Sequence, residues 1–371
     1  MEIGIDASRL AVSQRTGTEN YAYQVIRGLF RADRTNRYTL YFNGPPPRGL
    51  FDALPPRWKI RAIPFSRLWT HIRLSLEMLL HRPRVLFVPA HVVPLVHPRT
   101  AVTIHDLGYL FYPEAHRRFS RWYLQASTRW SARQARRIIA VSAATAHDIV
   151  EHTGVKADKI RVVHHGYDAR FKRVTDEAHI KAAKQRIGLL PSERYVLYVG
   201  TIQPRKNLVR LIEAWAKLGE EVTGYKLVLG GKPGWLYADI YAKVRILGLE
   251  GYVSLPGYIE DDDLPALYSG ASLFAFVSLY EGFGMPALEA LACGTPTLVS
   301  NTSSLPEIVG DAAILCDPED VDSIANALRQ GLTDEALRER LQIAGPEQAV
   351  KFSWQRCAEE TLAVLLEASK A

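Results

Sequence analysis

The sequence predicts an α/β protein made of two doubly wound parallel-sheet domains. Three observations predict it. Short runs rich in β-branched and aromatic residues alternate with helical stretches along the whole chain. Several of these runs, VLYVG and LVLGG among them, are apolar at consecutive positions, the pattern of strands buried on both faces beneath helices. The length of 371 residues corresponds to about two domains at roughly 100–200 residues each.

In the first half the strand-like runs are Ile3–Asp6, Tyr38–Phe42, Lys59–Ile63, Val85–Pro89, Ala101–His105, Arg137–Val141 and Ile160–His164. In the second half they are Tyr195–Gly200, Tyr225–Gly230, Tyr252–Leu255, Leu273–Val277, Pro296–Ser300 and Ala313–Cys316. Alternation of strands with helices gives right-handed βαβ units. The seam lies between Tyr167 and Tyr195, where DARFKRVTDEAHIKAAKQRIGLLPSER is polar and highly charged, with room for one short helix and no strand. This sets the domains at 1–170 and 171–352. The last segment, 353–371, reads as a helix, with Ser353 as its N-cap and Trp354, Leu362, Leu365 and Leu366 as its apolar face.

Composition excludes several classes. Apolar residues make up 47% and charged residues 23%, which is ordinary for a soluble globular protein and unlike a disordered, collagenous or coiled-coil chain. The longest apolar candidate, Ala271–Tyr280, is of strand length, short of the ~20 residues of a spanning helix. MEIGID carries no secretory pattern. The three cysteines (Cys293, Cys316, Cys357) are too few and too scattered for a disulfide or zinc framework. A cytoplasmic location is expected. Charge is distributed unevenly. Residues 1–173 hold 28 Lys and Arg against 12 Asp and Glu, and the remainder 18 against 27. Such a split points to an anionic partner for the first half: a membrane surface, a phosphorylated substrate or nucleic acid. No stacking platform or nucleic-acid module is visible, so nucleic acid is not expected. The segment from His116 to Arg137 combines many arginines with Trp122, Tyr123 and Trp130, a mixture suited to an anionic membrane interface.

Ligands of open parallel sheets bind beyond the carboxyl ends of strands, so those positions are the candidate sites. After the first strand, Thr16-Gly17-Thr18 opens a helix whose N-terminus favours an anion. G-x-G-x-x-G is absent, which argues against a dinucleotide oxidoreductase. The fifth strand runs into His105-Asp106, a pair able to bind a polar ligand, to do acid–base work or simply to form a turn. In YVLYVGTIQPRKN a buried strand ends at Gly200 and Thr201, and a short loop delivers Arg205 and Lys206 to a helix start, an arrangement suited to a diphosphate. FVSLYEGFGMPALEALACGTP is the most specific segment. Gly282, Phe283, Gly284 and Met285 can offer backbone N–H groups to a phosphate. Glu281 and Glu289 beside such a loop need another target, and sugar hydroxyls supply it. The acidic run Glu260-Asp261-Asp262-Asp263 is read as helix-capping rather than metal-binding.

Glu281 and Glu289, with GFG and MPALEA around them, resemble the E-x7-E signature of retaining family-four glycosyltransferases. TGTENYAYQVI, IHDLGYLFYPE, AVSAATAHDIV, VVHHGYD, VGTIQPRKN, VSLPGYIEDDDLPALYSGA and TPTLVSNTSSLPEIVGDAA follow in the family's order, and the His-Asp segment looks like that of the mannosyltransferase-like branch. The resemblance covers nearly the whole chain. It implies a GT-B fold, two Rossmann-like domains facing a cleft, with the acceptor on the first and the nucleotide sugar on the second. By resemblance, Arg205 and Lys206 neutralise the diphosphate and Glu289 binds the ribose. Glu281, with the Gly282 and Gly284 amides, positions the donor sugar. His105 contacts the sugar, the Gly17–Thr18 turn closes over the phosphates, and Tyr258-Ile259 touches the base. Thr201 stands where the family often has Arg, and Glu19 where it often has a second glycine. The implied reaction is retaining, metal-independent hexosyl transfer to a glycan or lipid-linked acceptor. GDP-mannose is favoured as donor. A UDP-sugar is the alternative, and a GT-B phosphorylase or epimerase a more distant one.

Overall fold

A computed structural model describes residues 1–11, 17–51, 53–65, 68–112 and 118–370. Thr16 and the His116–Arg117 start of the basic segment lie outside the described residues. The chain divides into two units, Met1–Gly166 with Ser353–Ala371, and Tyr167–Phe352.

The first unit is built on a seven-stranded sheet in the order β3-β2-β1-β4-β5-β6-β7. Its strands are β1 (Glu2–Asp6), β2 (Arg37–Phe42), β3 (Trp58–Ala62), β4 (Val85–Val88), β5 (Arg99–Ile104), β6 (Arg137–Ala140) and β7 (Ile160–Val162), and every neighbouring pair runs parallel. Alternate side chains feed two cores, as the strand's period of two requires. Ile3, Ile5, Val85 and Phe87 face the helices Gly17–Ala32 and Trp354–Lys370. Leu86 and Val88 face the other layer with Leu74, Met78, Ala132 and Ile149.

The C-terminal helix belongs to this first unit. Ser353 caps it, its Oγ accepting from the Arg356 amide at 3.1 Å, and Val364, Leu365 and Ala368 enter the core. Glycine permits the close crossing: a Cβ on Gly166 would lie 2.0 Å from the Trp354 nitrogen. The division falls at Gly166/Tyr167 rather than after residue 170, because Arg170 pairs with Asp261 at 3.5 Å and the Phe171 ring packs edge-on against Tyr268.

The second unit holds a six-stranded sheet, order β10-β9-β8-β11-β12-β13, with β8 (Arg194–Val199), β9 (Tyr225–Gly230), β10 (Val253–Gly257), β11 (Leu273–Phe276), β12 (Thr297–Ser300) and β13 (Ile314–Cys316). It too is parallel throughout. The polar seam contains one helix, Glu177–Arg186, capped by Asp176. One expectation needs correction. Asp263 precedes the helix Leu264–Gly270 but makes no side-chain cap; its carboxylate receives Arg186 Nε and Nη2 at 2.7 and 2.5 Å. A bidentate guanidinium offers more than one exposed backbone amide, so the ion pair wins. All three cysteines are free and buried. Among the described residues no helix is long and apolar enough to cross a membrane.

Candidate functional site

In the second sheet the strand order reverses between β8 and β11, and the loops leaving these two strands meet at the resulting crevice, where open α/β sheets bind ligands. The β8 loop passes Gly200 and Thr201 to a short turn, Pro204–Lys206, and then to the helix Leu208–Leu218. Asn207 at the junction is left-handed (φ +61°). Its amide holds the turn, donating to Val277 O at 3.1 Å and Pro318 O at 2.6 Å. The β11 loop is tied to it through Leu279 N to Arg205 O at 3.0 Å and Arg205 Nη1 to Tyr280 O.

Glu281 sits at the centre of this junction and is buried. Lys206 Nζ lies 2.5 Å from one carboxylate oxygen and Arg205 Nη1 3.4 Å from the other. The same ammonium sits 4.9 Å from the Phe276 ring centroid. Burial pushes the Glu281 carboxyl up, but Lys206 and Arg205 outweigh it and hold the group below the usual carboxylate range. The backbone around Glu281 is fixed as well. Its amide donates to Ser303 Oγ at 3.0 Å, and Ser304 Oγ donates to Glu281 O and Phe283 O at 3.0 and 2.9 Å.

The loop then enters the helix Met285–Ala292 through Gly284, at φ +101°. A side chain is excluded there both by that conformation and by Leu305, which a Cβ would approach to 2.6 Å. Within the first turn Pro286 carries no N–H, and the Ala287 and Leu288 amides donate to Gly284 O at 3.0 and 3.3 Å, so the glycine carbonyl closes the helix entrance. Glu289 lies one turn further on, half-buried, and accepts from the Tyr268 hydroxyl at 3.2 Å. Burial pushes its carboxyl up to about 8, against the opposite pull of Tyr268 and Arg170. After β10, Tyr258 is exposed beneath Lys232, with Nζ 4.4 Å from the ring centroid, whereas Ile259 is buried against Gly230.

In the first unit the order reverses between β1 and β4. Gly17 starts its helix exposed and Thr18 is half-buried. Glu19 approaches Arg9 at 3.8 Å. His105, buried at the end of β5, places Nε2 2.8 Å from Pro89 O. As a donor to that carbonyl, the neutral ring keeps Nδ1 as acceptor. Burial, reinforced by His91, pushes His105 down to about 4. His91 and His165 lie 5.6 Å from His105 between ring centroids, and Tyr21 makes an edge contact at 4.8 Å. Both neighbouring histidines are also shifted downward by burial. Three neutral imidazoles can therefore exchange hydrogen bonds with hydroxyls but supply no fixed charge at neutral pH. Asp106 Oδ1 accepts from Gly108 N at 2.9 Å, the turn reading of the pair.

With the geometry known, comparison identifies its type. Residues 180–348 match the model for "Glycosyl transferases group 1" and residues 15–171 that for "Glycosyltransferase Family 4". The "O-antigen chain mannosyltransferase B" of Escherichia coli is 35% identical over 74% of this chain and 72% of its own length. The chain belongs to the family-four glycosyltransferases. The "Serotype-specific mannosyltransferase WbdA" of E. coli is 34% identical over 73% of this glycosyltransferase but 33% of its own length, so this chain corresponds to about a third of that relative. The fold is GT-B. Sucrose-phosphate synthase from Thermosynechococcus elongatus superimposes with a TM-score of 0.77 at 21% identity, covering 99% and 98% of the two chains. WaaG, described as a glycosyltransferase involved in lipopolysaccharide biosynthesis, gives 0.74 at 15% identity over 98% and 99%.

The second unit thus brings together the candidate residues Arg205, Lys206, Glu281, Gly282, Phe283 and Gly284 on two adjoining loops, with Met285 and Glu289 on the following helix. Tyr258 and Ile259 stand on the separate loop after β10. Sequence reading missed Asn207, Ser303 and Ser304, which hold those loops. It also missed His91, although His91 leaves β4 at a strand carboxyl end, the same signal that singled out His105.

Proposed function

We infer that this glycosyltransferase moves mannose from GDP-mannose, with retention and without a metal ion, to a growing glycan or lipid-linked saccharide. The observation that carries the reading is the Arg205–Lys206–Glu281 junction at the entry to the Met285–Ala292 helix. Cleavage of the sugar C1–O bond leaves its electron pair on the diphosphate. Fixed cations there stabilise charge that grows in the transition state. The acceptor oxygen forms the new bond at C1, and its proton passes to the departing phosphate oxygen. Glu281 positions the sugar. Both its oxygens face cations, which lowers their nucleophilicity and supports transfer on one face over a covalent glycosyl-enzyme. In place of a metal, Arg186 and Arg170 already engage Asp263 and Asp261. The E. coli mannosyltransferase relatives support mannose as the sugar.

A UDP-hexose donor is the second reading, favoured by the fold neighbour HepE of Anabaena, described in complex with UDP and glucose (TM-score 0.75, 18% identity, 98% and 99% covered). Thermal shift and transfer assays with GDP-mannose, UDP-glucose, UDP-galactose and UDP-N-acetylglucosamine, each with and without EDTA, test both. Expected are stabilisation and turnover with GDP-mannose alone, insensitive to EDTA, and an α-linked product by proton NMR. Turnover with a UDP-sugar instead, loss of activity in EDTA restored by Mg²⁺, or a β-linked product would each overturn the corresponding part. Full transfer by Glu281→Ala would remove the role given to Glu281.

A further inference from the structure

His91 is held in a conformation that its side chain does not favour. It lies just past β4, at the centre of a three-residue turn that the Val92 amide closes on Ala90 O at 2.6 Å. Its φ is +29°, in the left-handed range that L side chains rarely adopt. A three-residue turn with positive φ at its centre is the strained form of that turn. The strain is imposed from both sides. His91 N donates to Thr103 O at 3.1 Å, and the amide of fully buried Val93 donates to Ser131 Oγ at 2.9 Å. Glycine would meet the same turn without strain, but the chain carries an imidazole there.

The ring does not explain itself by bonding to protein. It is half-buried, and among the described residues neither of its nitrogens makes a hydrogen bond. Its neighbour is the His105 ring, tilted by 54° with centroids 5.6 Å apart. Strained residues other than glycine cluster at ligand sites, where the surrounding fold holds them in place.

The position agrees with such a role. The first sheet reverses order between β1 and β4, and His91 stands at the β4 exit, where an open sheet takes its ligand. Asp6 ends β1, Arg9 follows on the turn Ser8–Leu10, and Asp106 follows β5. Arg9 and Asp106 both act on the His91 ring, in opposite directions, and burial outweighs them and keeps it neutral. Arg9 is the one cation among these groups, and it also faces Glu19 at 3.8 Å. A crevice of neutral imidazoles and carboxylates with a single, already engaged cation suits hydroxyl groups and not a phosphate.

We propose that His91 determines acceptor specificity, its ring binding a hydroxyl of a neutral sugar at the end of the acceptor. With His105 assigned by resemblance to the transferred sugar, the ring beside it falls to the sugar that receives the transfer. A neutral imidazole can donate to that hydroxyl from one nitrogen or accept from it at the other. The assignment rests on the transferase reading above, but not on which nucleotide carries the donor.

The test uses the full-length protein with the nucleotide sugar that the transfer assays select. The acceptor probes are the methyl α-glycosides of mannose, glucose, galactose and N-acetylglucosamine, with mannose 6-phosphate as a charged comparator. Binding is read by saturation-transfer NMR, and the acceptor and donor KM by transfer kinetics. Expected is binding of at least one methyl glycoside in preference to mannose 6-phosphate. His91→Gly should raise the acceptor KM by about tenfold or more and leave the donor KM unchanged. Its Tm should be equal to or above that of the unsubstituted protein, because glycine accepts the turn and no hydrogen bond is lost. His91→Asn, which tolerates the backbone and keeps a hydrogen-bonding group, should fall between the two in acceptor KM. An unchanged acceptor KM in His91→Gly would overturn the proposal, and with a lowered Tm it would mark the ring as a packing group. A rise in donor KM alone would move the ring to the donor and also overturn it. So would binding of none of the four glycosides, or tighter binding of mannose 6-phosphate. Transfer from a UDP-sugar in place of GDP-mannose would refute the donor reading and leave every one of these comparisons intact.

Discussion

Lys206→Met isolates the ion pair at the centre of the site. The substitution keeps the length of the side chain and removes its charge. Glu281 then stays buried with Arg205 alone, 3.4 Å from one oxygen. Removing one partner of a buried pair costs about 3–5 kcal/mol, and the remaining Arg205 argues for the lower end, about 3 kcal/mol. For a unit the size of Tyr167–Phe352 that is a fall in Tm on the order of 10 °C. The pH dependence has a defined sign. In the native protein Glu281 is held below its ordinary value, so its contribution is full above that ordinary value and is lost as pH falls through the depressed one. Without Lys206, burial raises the group, and protonation relieves the isolated charge. The deficit measured by urea unfolding should therefore be larger at pH 8 than at pH 5. Lys206→Met/Glu281→Gln, which leaves no unpaired carboxylate, should be more stable than Lys206→Met. A deficit below about 1 kcal/mol, equal deficits at both pH values, or simple additivity in the double variant would refute the reasoning.

Other predictions follow the same geometry. If Glu289 accepts from ribose hydroxyls as a carboxylate, nucleotide binding near pH 7 should release a proton, because the free group is raised to about 8. Calorimetry in buffers of different ionisation enthalpy reads this, and Glu289→Gln should abolish it. Gly284→Ala puts a Cβ at φ +101° and 2.6 Å from Leu305, so nucleotide affinity should fall at least tenfold by thermal shift while Gly282→Ala is milder. Gly166→Ala meets the Trp354 backbone at 2.0 Å and should expose the C-terminal helix to proteolysis. His105 is lowered to about 4, so its unfolded form binds the proton first and it costs stability as pH falls from about 6.5 to 4; His105→Gln should flatten the acid side of the stability curve in that window.

Much of this protein was legible from local pattern. The VLYVG run specifies β8 because a strand buried on both faces must be apolar throughout. GFG before MPALEA specifies a glycine-permitted entry into a helix, and Gly284 has the positive φ this demands. Such features depend on neighbours within a few residues. Lys206 and Glu281 are different. They are 75 residues apart, and either one alone reads as a charged loop residue. They meet because β8 and β11 are adjacent although β9 and β10 lie between them in sequence. The shifted carboxyls of Glu281 and Glu289 follow from that packing. The His91–His105–His165 cluster likewise gathers the exits of β4, β5 and β7, and the outward leucines of the helical segment Thr70–Leu80 were invisible until buried Glu77, bound to Arg61, showed which face is pinned. Sequence by itself determined strand and helix identity, the glycine-permitted helix entry and the family. Tertiary structure decided which charges are paired, which carboxyl burial raises and which apolar row faces water. Local preference is set by backbone sterics and hydrophobic period, whereas charge state and burial depend on groups that only the sheet order brings together.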